Sequence, residues 1–124
     1  MTDLERDALA SFVNWPDLLQ RVDNDRELLE ELFALFQEEF PRLLDELHQT
    51  VKDDDLAEIR RVAHALKGML AGLSIQQCAA LAANVESAAQ AGDRSEVAQV
   101  LAALDRETSG LMAAVKSFKA ETDQ

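Results

Sequence analysis

The chain has 124 residues, of which 48% are hydrophobic, enough to bury the core of one compact domain spanning 1–124 but not of two. A formal net charge of −12 repels phosphate backbones and anionic lipid, which argues against nucleic acid and membrane surfaces as partners. With two prolines, four glycines, no tyrosine and abundant Ala, Leu, Glu and Asp, the composition favours helix over strand throughout. The lone Cys78 forms no internal disulfide and builds no cysteine zinc site, and its Ala- and Leu-rich surroundings mark a buried thiol. Acidic residues at Asp3, Glu5 and Asp7 and the lack of a long apolar run resemble neither a signal peptide nor a membrane anchor, so a cytoplasmic protein is expected.

In chain order, Leu4, Ala8, Leu9, Phe12 and Val13 make a modest helical stripe over 2–13. Trp15-Pro16-Asp17 starts a second short helix, since proline fits a first helical turn. These pieces form an N-terminal extension over about 2–22, ahead of a core over about 25–120. Asp23-Asn24 makes a turn with asparagine in the left-handed region, and Asp25 caps the next helix.

That helix is long, with Leu29, Leu32, Phe36, Phe40, Leu43 and Leu47 at spacings of three and four. Pro41 removes one backbone bond to Gln37, yet the register continues, so a kink is expected and not an end. His48 falls off the apolar line and reads as an ordinary surface histidine. Asp53, Asp54 and Asp55 then provide an N-cap and favourable charge at the start of a new helix. Its apolar stripe is Ile59, Val62, Ala63, Leu66, Met69, Leu70 and Leu73. Ser74 with Gln77 reads as a capping box for a further helix, which turns Ile75, Cys78, Leu81, Ala82 and Val85 inward and stops at Gly92. Asp93 with Glu96 makes the next box, and Val97, Leu101, Leu104, Thr108, Leu111, Val115 and Phe118 form a heptad seam that Gly110 weakens slightly. Four amphipathic helices on short connections pack as an all-α, antiparallel up-and-down four-helix bundle, with the N-terminal pieces across one end.

The helix after Asp55 carries the chemistry. At 100° per residue from Ile59, its apolar stripe centres near about 330°, whereas His64 lies at about 140°, pointing away from the core. Arg60 stands one turn before His64, and Lys67 and Gly68 one turn after, with Ala57 and Ala71 two turns away on the same face. Arg61 adjoins them. A mid-helix glycine costs about 1 kcal/mol relative to alanine, so Gly68 points to close approach by a partner. An exposed, largely neutral imidazole is a nucleophile, and neighbouring cations suit it to a phosphoryl electrophile.

The run His64-Ala65-Leu66-Lys67-Gly68 resembles the His-x-Leu-Lys-Gly signature of histidine-containing phosphotransfer (HPt) domains of two-component phosphorelays. The likeness extends from Leu18 to about Gly92, through Asp25, Glu27-Leu28-Leu29, Phe36, Glu38-Glu39, Pro41, Asp55-Leu56, Leu73, Val85-Glu86 and Gly92-Asp93. It implies that His64 takes a phosphoryl group on Nε2 from the aspartyl phosphate of one receiver domain and passes it to the aspartate of another. Lys67 would steady the phosphate, Gly68 would admit the receiver loop, and Glu86 would hydrogen-bond the other imidazole nitrogen. Arg60, Arg61, Ala57 and Ala71 are candidates for contact with the partner. The implied partners are response-regulator receivers and a hybrid sensor histidine kinase, with Mg²⁺ on the receiver and no cofactor or metal on this chain. A monomeric phosphocarrier is expected, not an enzyme with its own catalytic cycle; the competing expectation is an HPt-like module that binds and inhibits a kinase or receiver without carrying phosphate. Met69 and Leu70 stand where the family commonly has small residues, and Ser74-Ile75 replaces a frequent Gly-Ala; Ala79, Ala80, Ala82 and Ala83 are expected to make room. A di-metal bundle lacks its paired Glu-x-x-His motifs, with Asp45 and His48 the nearest imitation, and no His-Glu-x-x-His occurs.

Overall fold

The computed structural model describes residues 9–122, with side chains through Phe118, so most of the expected 2–13 helix lies outside the described residues. Among the described residues there are five helices and no strand: α1 (Trp15–Arg21), α2 (Arg26–Lys52), α3 (Leu56–Gly72), α4 (Gln76–Gln90) and α5 (Arg94–Thr122). Their starts follow side-chain chemistry. Asn14, Asp25, Asp55 and Asp93 each accept a hydrogen bond from the backbone N–H three residues on, satisfying a donor that the first turn leaves open. Their ends need residues that tolerate the left-handed region. Asp23, Asn24, Asp54 and Gly92 have φ of 55°, 57°, 54° and 73°, so Asp23 joins Asn24 in a conformation expected only of the latter.

α2 continues through Pro41, whose missing N–H does not end it. The helices α2, α3, α4 and α5 close a ring, with α2 against α3 and α5, and α4 against the same two. Along α5 every seam residue from Val97 to Phe118 is buried, and Thr108 donates its hydroxyl to the Leu104 carbonyl at 2.8 Å, so this polar member enters the core satisfied. Burial pushes the Cys78 thiol up to about 11.

Four expectations need correction. The Ser74–Gln77 capping box does not form: Ile75 occupies the cap of α4 and makes no side-chain cap bond. Ser74 is instead buried with φ of 58°, and its hydroxyl donates to Asp17 Oδ2 at 2.6 Å. A tertiary acceptor has displaced the local one. His48 is exposed but not plain, because its Nε2 lies 2.8 Å from Asp105 Oδ1 on α5. Met69 is half-buried at a groove, unlike Leu70, which is fully buried. Of the alanines expected to make room, Ala79 and Ala82 are buried, whereas Ala80 is exposed and Ala83 half-buried.

Ser74 ties α1 to the bundle end. Asn14 N–H donates to the Ser74 carbonyl at 3.0 Å, Arg21 Nη1 donates to the Ala71 carbonyl at 3.1 Å, and Arg21 Nε pairs with Asp17 at 3.0 Å. Beneath this latch, Trp15 packs on Phe33 and Phe118 with ring centroids 6.2 and 6.1 Å away. Ser74→Ala should therefore destabilise the protein by about 1–2 kcal/mol. In urea unfolding, the Ser74→Ala, Asp17→Ala double variant should lose clearly less than the sum of the two singles, as shared partners require.

Candidate functional site

α3 is held on its inner side by Ile59, Val62, Ala63, Leu66 and Leu70, all buried, and this fixes the rotation of the helix. His64 is accordingly turned outward, its side chain 66% exposed. Its Nδ1 lies 2.7 Å from Glu86 Oε2, and the other carboxylate oxygen, Oε1, accepts from Lys67 Nζ at 2.9 Å. One carboxylate thus bridges both residues. A carboxylate only accepts, so Nδ1 is the protonated nitrogen in this contact, and Nε2 keeps its lone pair for chemistry.

Glu86 stands on α4, whose buried Ala82, Val85 and Ala89 fix its rotation, and its side chain is only 18% exposed. The hydrogen bond from Lys67 is the largest influence on its carboxyl, and His64 adds to it; together they outweigh partial burial and hold it below the usual carboxylate range.

The remaining expected residues divide by position. Arg61 reaches across to α2, donating to Glu46 at 2.7 Å, and also to Glu58 at 2.9 Å within α3. Glu46 and Glu58 were not singled out from the sequence, although the three-residue spacing of Glu58 and Arg61 is a legible pairing signal. Arg60, Ala57 and Ala71 are exposed on the same face as His64, and Arg60 makes no hydrogen bond or ion pair among the described residues. A Cβ built on Gly68 meets nothing within 4 Å, so nothing among the described residues requires glycine there. On its α2 side, Gly68 opens onto an apolar groove of about 300 Å³ lined by Leu32, Leu35, Phe36, Met69 and Gly72, with Leu35 57% exposed. No signal in the linear sequence marks that groove, because its walls come from two helices.

Among the described residues, no group of three or more His, Cys, Asp or Glu is placed to hold a metal ion, and no helix is long and apolar enough to cross a membrane. A family model, the Hpt domain, matches residues 31–114. The chain belongs to the Hpt family. The Hpt fold here is similar to that of the histidine-containing phosphotransfer protein ZmHP2 from maize, with a TM-score of 0.80, 18% sequence identity and 98% of each chain covered. No curated protein matches.

The bridge has a pH signature. Because the folded-state value of Glu86 is depressed, its stabilising contribution is present above the ordinary glutamate value, near 4.3, and is lost as pH falls through the lowered folded value. Long-range ¹H–¹⁵N spectra at neutral pH should show the unprotonated imidazole as the Nδ1–H tautomer, with Glu86→Ala moving the population toward Nε2–H. Spectra of the unaltered protein dominated by Nε2–H would contradict the bridging geometry.

Proposed function

We propose that this Hpt chain is a phosphorelay intermediate that accepts a phosphoryl group on His64 Nε2 from a receiver aspartyl phosphate and returns it to the aspartate of another receiver. The observation that carries this reading is the exposed imidazole anchored at Nδ1 by Glu86, which leaves Nε2 as the free nucleophilic edge. The Nε2 lone pair attacks phosphorus as the bond from phosphorus to the aspartyl oxygen breaks, and the carboxylate leaves with that electron pair. The proton stays on Nδ1, and the imidazolium that results is favoured by the Glu86 carboxylate beside it. Transfer through a loose, in-line transition state depends mainly on positioning and charge, so such a carrier needs no turnover chemistry of its own. Mg²⁺ would come with the receiver.

Gly68 supports the same reading. An alanine would fit the isolated chain and strengthen the helix, yet the position is glycine, which suits a partner pressed against the backbone one turn from His64. Lys67, held on Glu86, keeps the bridge charge-balanced at the point where a phosphate arrives.

Incubation with a phosphorylated cognate receiver should place acid-labile, alkali-stable phosphate on the chain, and His64→Gln should abolish it. Label that persists in that variant would exclude His64 as the acceptor. Tight receiver binding without any transfer would favour the inhibitory module instead. Gly68→Ala should raise thermal stability, by up to about 1 kcal/mol, while slowing transfer from the receiver; Gly68→Gln should slow it further. Unimpaired transfer by Gly68→Gln would remove the close-approach argument.

A further inference from the structure

Three cations surround the imidazole, and they are not equally available. Lys67 Nζ sits 2.9 Å from Glu86 Oε1, and Arg61 is held at 2.7 Å by Glu46 and at 2.9 Å by Glu58. Arg60 alone of the three has no hydrogen bond or ion pair among the described residues, in a chain with 24 acidic residues and 12 basic ones. An arginine left unpaired on so acidic a protein stands beside the one group that would carry a new dianion.

Its position matches that availability. Side chains on a helix lean toward its N-terminus, so the imidazole of His64 lies over the turn that carries Arg60, one turn earlier and roughly 5–6 Å away at Cβ. A hollow of about 430 Å³ beside the imidazole is lined by Ala57, Arg60, Arg61, His64 and Glu86, and Lys67 is not part of its wall. Ala57, small and exposed, adds little bulk to that lining. A phosphoryl oxygen there would meet a guanidinium whose planar donors suit bidentate binding of phosphate.

We propose that Arg60 is the cation that contacts the phosphoryl group on His64, while Lys67 is a positioning residue that acts through Glu86. The assignment rests on His64 being the phosphate carrier, as proposed above. It divides two roles that the sequence pattern alone would give jointly to Lys67 and Arg60.

Phosphoramidate tests it without any receiver. The Nε2 lone pair attacks phosphorus of the N-protonated donor, its phosphorus–nitrogen bond breaks, and neutral ammonia leaves with that pair and the three protons it already carried, the imidazole proton remaining on Nδ1. With the full-length chain, Arg60→Ala should slow phosphorylation about three- to tenfold at low salt, with the deficit shrinking near about 0.5 M salt, and Arg60→Lys should recover most of the rate. Because Arg60 is exposed and unpaired, the thermal midpoint should not move. In ³¹P titrations of the phosphorylated protein, Arg60→Ala should raise the phosphoryl group's second ionisation more than Lys67→Ala does, a readout that a merely structural role would leave alone. An unchanged ionisation in Arg60→Ala, or a larger shift in Lys67→Ala, overturns the assignment while leaving His64 as the carrier. Absence of label on His64 in the unaltered chain overturns both.

Discussion

A helix packed against two neighbours in a four-membered ring has a single strip left for solvent, and α3 must place its chemistry on that strip. Ile59, Val62, Ala63, Leu66 and Leu70 fill the inward side, so the rotation of the helix is set by apolar burial before any polar residue is considered. His64 is exposed as a consequence. The same constraint turns Lys67 toward α4 and Gly68 toward α2, giving the imidazole a charged flank and an apolar one. The site is thus a boundary between two kinds of surface, and the helix register draws it.

Glu86 links this strip to the rest of the bundle. Its two oxygens are divided between His64 and Lys67, a geometry that an amide could not reproduce with its single acceptor. Since Glu86 is set by the packing of α4, the orientation of the imidazole depends on the α3–α4 contact as well as on α3 itself. Arg61 does the corresponding work on the other flank, joining α3 to Glu46 of α2. Both arrangements hold side chains on rigid elements, which suits a reaction governed by positioning.

What could be read from the sequence was whatever depends on neighbours in the chain. The buried stripes, apart from the half-buried Leu32, Leu43, Met69 and Leu81, the caps at Asp25, Asp55 and Asp93, and the outward rotation of His64 all come from spacing within one helix, and the structure agrees with them. Glu86 was reached only through a family resemblance, because nothing local to α4 shows that it faces an imidazole. Ser74 was misread for the same reason in reverse. Its spacing to Gln77 fits a capping box, yet the hydroxyl goes to Asp17, 57 positions away, and that partner appears only once α1 lies across the bundle end. His48 and Asp105 are likewise 57 positions apart. Met69 sat correctly on the stripe by angle, but angle does not say where the neighbouring helix stops covering it.

Gly110 carries a further lesson. By propensity it is a weak point in α5, but a Cβ there would come within 3.2 Å of the Phe12 ring, so the missing side chain is a socket for the N-terminal segment. The two positions are consequently constrained as a pair. A side chain added at 110 makes the Phe12 ring give way by a few tenths of an ångström, so whatever it adds to the helical turn of α5 is set against what it takes from the packing of that ring.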